Sequence, residues 1–203
     1  DDHALFHARR VGVLERTPMP ADIQILRKTG AAPGTGTNIT GINTRANAED
    51  VHSVAGTTNP VRIPSAGTNY SYWVTTRLNA NTTPAGTVDN LRWFTDGANG
   101  FGTGVTCKGA KASTGVDAGY RIATGTPGTT GTQLTQANHT GLDEAPADVF
   151  TFTSASPKSL VGTISNPSTG QFGDHWVYQI EAGTTAVAGA TGQETFTFRY
   201  DET

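Results

Sequence analysis

The run Glu194-Thr195-Phe196-Thr197-Phe198-Arg199-Tyr200-Asp201-Glu202 alternates aromatic and polar side chains with a period of two. A strand sends successive side chains to opposite faces, so this spacing directs Phe196, Phe198 and Tyr200 into an apolar layer. Thr195, Thr197 and Arg199 are left facing water or a neighbouring subunit. A chain that ends in a core strand has its terminus pinned.

The same reading extends upstream. Ser71 to Asn79, Val88 to Phe94, Val105 to Lys108, Tyr120 to Ala123, Val149 to Thr153, Ser159 to Ile164 and His175 to Glu181 all read as strands bounded by turn formers. Trp176, Tyr178 and Ile180 share one face of their run, and Phe150 and Phe152 share one face of theirs. About eight strands of roughly 15 to 25 Å each, with no helical pattern between them, predict an all-β, antiparallel two-sheet β-sandwich, jelly-roll or immunoglobulin-like, with an extended N-terminal arm. The expected core aromatics are Trp73, Trp93, Phe150, Phe152, Trp176, Tyr178, Phe196, Phe198 and Tyr200.

The sandwich is assigned to residues 61–203, with a long Gly/Thr-rich surface loop or hairpin arm at 115–146, a stretch that reads as too polar for a core. Residues 1–60 read as an arm or linker containing one strand, Asp22 to Lys28, followed by some thirty residues poor in large apolar groups. The first segment, DDHALFHARRVGVLER, has helix formers in sequence and two aspartates suited to the positive end of a helix dipole, and Pro18 and Pro20 stop it. An extended arm across another subunit fits it equally well. Leu5, Phe6, Arg9, Arg10, Val13 and Leu14 are its candidate partner-binding residues.

Composition narrows the function classes. Charged residues make up 15% of the chain and the net charge is −3, so no basic patch points to nucleic acid. About one residue in six is threonine, and glycine numbers 25, which favours strands joined by tight turns and a neutral, hydroxyl-rich exterior. Such a surface packs against neighbours without burying unpaired charge. No run of about 18 apolar residues is present, so no membrane span is expected, and the first residues lack the apolar centre of a secretion signal. The single cysteine, Cys107, reads as a small buried apolar residue.

Chemistry-bearing constellations are sparse. No Gly-x-Ser-x-Gly elbow occurs, and no glycine pattern of a phosphate-binding loop follows a strand. His3 and His7 stand at i, i+4, but no third ligand completes a metal set. Asp174-His175 and Asp143-Glu144 read as turn residues beside Gly173 and Gly141 rather than as an acid–base pair. Asp96-Gly-Ala-Asn99-Gly100 lacks the distal glutamate of a calcium loop and reads as a hairpin turn. No catalytic residue, metal or cofactor is expected. Trp73, Trp93 and Trp176 offer two readings, core packing or a flat stacking platform for a sugar ring.

Arg92-Trp93-Phe94-Thr95-Asp96-Gly97, Trp176-Val177-Tyr178-Gln179-Ile180 and the final GQETFTFRYDE, taken together over 61–203, resemble tailed-phage virion structural proteins of the β-sandwich kind. That resemblance implies a capsid decoration or auxiliary protein, or a collar or tail component, located in the virion. Its partners would be neighbouring copies or other virion proteins, in a homo-oligomeric assembly, without catalysis, nucleic acid or membrane. The alternative is a secreted carbohydrate-binding or adhesive β-sandwich module, motivated by the three tryptophans. A hydrolase with an unrecognised site is the third expectation.

Overall fold

The structure is a computed structural model that describes residues 20–54, 58–189 and 191–203. In chain order the elements are β1 (Ile23–Thr29), β2 (Thr35–Asn38), β3 (Thr68–Tyr70), β4 (Val74–Ala80), β5 (Thr87–Phe94), β6 (Val105–Ala112) and one helical turn, α1 (Val116–Gly119). There follow β7 (Gly125–Thr126), β8 (Thr130–Gly131), β9 (Ala147–Asp148), a turn of 3-10 helix (Val149–Thr151), β10 (Lys158–Ser159), β11 (Ile164–Ser165), β12 (Gly170–Gly183) and β13 (Thr197–Glu202). The chain is all-β, and every ladder between these strands is antiparallel.

A seven-stranded sheet runs β2-β1-β4-β12-β6-β9, with β3 added to the end of β12. A four-stranded sheet is built on β5, which pairs with β10, β11 and β13. Because β13 pairs with β5 from Phe94 to Val88, the two short strands β10 and β11 share the opposite edge of β5. A two-residue hairpin, β7–β8, stands apart.

The two larger sheets face one another across the main core. Val74, Leu78, Cys107, Trp176 and Tyr178 of the larger sheet meet Val88, Leu91 and Trp93 of the smaller one, with Phe196, Phe198 and Tyr200 packed against them. Phe152 sets its edge against both indoles, at 6.4 Å from Trp93 and 5.9 Å from Trp176. Phe196 does the same to Trp93 and Tyr178, at 5.2 and 4.9 Å. Ring edges meeting ring faces at these separations add to the area each aromatic buries.

An antiparallel sheet commonly leaves one face to water, but here the larger sheet is covered on both. Its second face holds Trp73, Ala110, Ala112 and Val177, which pack against Tyr72, Ala123, Leu134 and Leu142. Residues 115–146, read from sequence as too polar for a core, therefore form the cover of that face. They carry Tyr120, Ala123, Leu134, His139 and Leu142 into it, all buried. Residue-to-residue alternation along β12 separates the layers: Trp176 and Tyr178 on one side, His175, Val177 and Gln179 on the other.

Several local readings are corrected. Val149 to Thr153 is not a strand: the Asp148 carboxylate accepts a hydrogen bond from the Phe150 amide and turns the chain into a 3-10 helix. Tyr120 to Ala123 is irregular, and Ser159 to Ile164 resolves into two separate two-residue strands. Residues 23–38, placed in the arm by sequence, supply the first two strands of the larger sheet, and β1 pairs with β4 from Ile23↔Ala80 to Lys28↔Thr75.

Candidate functional site

Sheets of unequal width leave part of the larger one without an opposing strand. Beside β13 and over β1, β4 and β12 lies a groove of about 960 Å³. Ile25, Thr76, Tyr178 and Ile180 form its floor, Phe196 and Phe198 one wall, and the segments 39–47, 60–63, 186–189 and 191–195 its rim. The rim exposes apolar side chains: Ile42 is 50%, Ile63 39% and Val187 77% accessible. Isolated exposed aliphatics are ordinary, but these three stand around one apolar depression and so form a shared exposed apolar rim.

Next to the groove, β1 and β4 carry a charge pattern that the sequence did not reveal. Arg27, Lys28 and Arg77 are 1%, 2% and 5% exposed, and none of the three forms an ion pair among the described residues. Arg27 points to the sandwich side, where Nη1 donates to Thr44 Oγ1 at 3.0 Å and to the Arg45 carbonyl at 2.6 Å. It thereby holds the groove's rim. Lys28 points to the opposite face, where Nζ donates to Gln171 Oε1 at 3.0 Å and sits 5.8 Å from the centre of the Tyr120 ring. Arg77 Nε donates to the Gly173 carbonyl at 2.9 Å. Burial lowers the pKa of all three, since taking a cation out of water disfavours its charged form. Asp50 stands in the electrostatic field of Arg27 and accepts from the Gly30 amide at 2.7 Å. These contacts tie loops to the sheet, and they join residues far apart in the sequence.

The second face holds two histidines at 0% exposure, His139 and His175. His139 lies against Trp73, ring centroids 4.9 Å apart. His175 Nδ1 is 3.3 Å from the Ser113 carbonyl. Burial pushes both imidazoles down to a pKa of about 4, which keeps them neutral at ordinary pH. Asp174, 3% exposed, accepts from the Val161 amide at 2.7 Å, and burial raises its pKa. Asp174 and His175 thus lie inside β12, not in the turn expected from Gly173. No group of three His, Cys, Asp or Glu side chains able to hold a metal ion occurs among the described residues.

Gln179 is the best-connected buried polar side chain. Its Nε2 donates to the carbonyls of Ser71 and Thr132 at 2.6 and 2.8 Å, and its Oε1 accepts from the Leu134 amide at 2.6 Å. With the Trp73 indole donating to the Thr132 carbonyl at 2.8 Å, it fastens the 115–146 cover to the sheet.

Of the residues singled out from sequence, Trp73, Trp93, Trp176, Phe150 and Tyr178 are buried, and Phe152, Phe196, Phe198 and Tyr200 are half-buried against the main core. Trp73 belongs to the second core rather than the sandwich interior. At 3%, 1% and 0% exposure, Trp73, Trp93 and Trp176 present no face to a sugar ring. Cys107 is buried, and its thiol pKa is raised by burial. Asp96 and Asn99 accept from the amides of Ala98 and Phe101, two residues on, as turn residues do. Leu5, Phe6, Arg9, Arg10, Val13 and Leu14, together with His3 and His7, lie outside the described residues.

No protein-family model matches the chain, and neither a curated protein nor a solved structure matches it.

Proposed function

We propose that this chain is a structural component of a tailed-phage particle, a capsid decoration or auxiliary protein that works by packing against neighbouring subunits and not by catalysis. The observation that carries the reading is the open groove beside β13, a preformed apolar surface of about 960 Å³ with Ile42, Ile63 and Val187 exposed at its rim. A subunit of an assembly needs a rigid module with an apolar patch for its neighbour, surrounded by a surface that can be buried cheaply. The 15% charged content and the threonine-rich exterior supply the second requirement. The resemblance of 61–203 to virion β-sandwich proteins supplies the particle.

The carbohydrate-binding alternative rested on the three indoles. Their burial removes its motive, because stacking on a pyranose needs an exposed ring face. Quantitative mass spectrometry of purified particles tests the proposal: the chain is expected at a fixed, stoichiometric ratio to the major head protein. Its absence from particles, with all of it free in the lysate as a monomer, would overturn the reading.

A further inference from the structure

The groove lies where the smaller sheet would add its next strand. Strand β13 pairs with β5 along one edge, and among the described residues no hydrogen bond reaches its backbone from the groove side. An open edge is a row of N–H and C=O groups that templates another strand about 4.7–4.9 Å away. Here that position is enclosed by the floor of the larger sheet and by the segments 39–47 and 60–63, so it admits a single extended segment and not a folded domain.

Two side chains on the same groove call for a backbone acceptor. Asn47 is 4% exposed, and its Nδ2, like the Nε of Arg45, is buried with no acceptor among the described residues. Buried donors are nearly always paired, and a peptide carbonyl is the acceptor that an extended segment brings.

The chain itself leads to this place. Ala21 belongs to the main core, and its amide donates to the Glu202 carboxylate at 3.0 Å. Ala21 precedes the floor residue Ile25 by four positions, and Glu202 follows the wall residue Phe198 by four, about 13 Å of strand in each case. The six residues Glu15 to Pro20 reach about 20 Å when extended, which covers that distance. Just before them stand Leu5, Phe6, Val11, Val13 and Leu14, the apolar residues of the first segment. In an extended chain Leu5, Val11 and Val13 fall on one face, as a strand laid on an apolar floor requires.

We infer that the groove is the seat of the chain's own Leu5–Leu14 segment, added as a strand to the open edge of β13. So short a tether gives the segment an effective concentration in the millimolar range, so in the isolated chain it fills the groove of its own molecule. Exchange of the same segment between adjoining subunits would use the same seat. The inference goes beyond the particle reading and stands without it.

Photo-crosslinking in the dilute full chain tests it. With p-benzoylphenylalanine placed at Leu5 or at Val13, crosslinks within one chain to residues 39–47, 60–63, 186–189 or 196–198 are expected. Hydrogen exchange gives the second reading: Leu5→Asp/Val13→Asp is expected to speed exchange of the β13 amides about tenfold or more, while those of β4 and β12 stay as in the wild type and show the fold intact. Crosslinks that fall outside the groove, or β13 exchange that the variant leaves unchanged, would overturn the inference. Crosslinks formed only between chains would overturn the assignment to the same molecule. Because the isolated chain is used, any of these failures leaves the stoichiometry in particles, and the reading tested by it, untouched.

Discussion

The indole of Trp93 in the smaller sheet lies on that of Trp176 in the larger, ring centroids 4.2 Å apart and planes inclined by 27°. At 1% and 0% exposure the pair is the point where the two sheets are joined, since Phe152 and Phe196 both pack against it. Removing either ring empties a large volume that a β-sandwich collapses into poorly. Trp93→Ala and Trp176→Ala are each expected to cost about 3–5 kcal/mol in urea unfolding. The double variant should cost less than the sum, because the first truncation already removes the mutual contact. Additive losses would mean that the rings stabilise independently.

Gly109, on β6, lies where Trp176 needs space. A Cβ there would come 2.6 Å from Trp176 Cζ2 and 3.0 Å from Val149 Cγ1. Gly109→Ala is therefore expected to destabilise by about 1–3 kcal/mol through overpacking. The same change made in a Trp176→Phe background should cost less, since the smaller ring lacks that edge. Equal costs in the two backgrounds, measured by urea midpoints, would show that the penalty comes from elsewhere in β6.

What the sequence made legible, and what it hid, follows from where each contact originates. The two-residue alternation of Phe196, Phe198 and Tyr200, and of Trp176, Tyr178 and Ile180, is written by the strand geometry that buries them, so it could be read directly. The run Val149 to Thr153 has the same composition, yet one cap from Asp148 turns it into a 3-10 helix. The cover at 115–146 looked polar because its apolar residues, Tyr120, Ala123, Leu134 and Leu142, follow no period, and its backbone is satisfied by Gln179 and Trp73 from distant strands. Arg27 and Lys28 are buried by Thr44, Arg45, Tyr120 and Gln171, none of which is a local neighbour. The groove leaves no local mark at all, because it arises from the unequal widths of the two sheets.

Acid should destabilise the fold through its buried histidines. Above the unfolded-state pKa of about 6.5, His139 and His175 are neutral whether the chain is folded or not. Between there and their native value of about 4, the unfolded chain takes up protons that the native state refuses, so stability falls across this window and levels off below it. Asp50 and Asp174, whose pKa values burial raises, act in the opposite sense and soften the lower part of the slope. Unfolding free energy at pH 4.5 is expected to lie on the order of 2 kcal/mol below that at pH 7, and His175→Gln should flatten the decline. A profile that is level or rising from pH 7 to pH 4.5 would contradict this assignment.

Gln179 sits at the centre of the second face, 0% exposed, with both of its functional atoms engaged. Gln179→Leu keeps much of the volume but takes the Gln179 partner from the Ser71 carbonyl and the Leu134 amide, while the Thr132 carbonyl keeps the Trp73 indole, and each buried group left without a partner costs about 1–3 kcal/mol. Gln179→Glu is the sharper test because it is nearly isosteric. A carboxylate cannot donate, so it would face the Ser71 and Thr132 carbonyls with its own lone pairs in a dry site, and its pKa would be driven up. Once protonated it regains one donor. The deficit of Gln179→Glu relative to wild type is therefore expected to be largest near neutral pH and to shrink as pH falls through that raised pKa, because the native state then binds a proton the unfolded chain does not hold. Gln179→Leu, having nothing to titrate, should keep a constant deficit against wild type over the same range. Paired urea titrations at pH 7.5 and pH 5 read the difference, and a Gln179→Glu deficit that does not change between them would mean the side chain is not enclosed between those carbonyls.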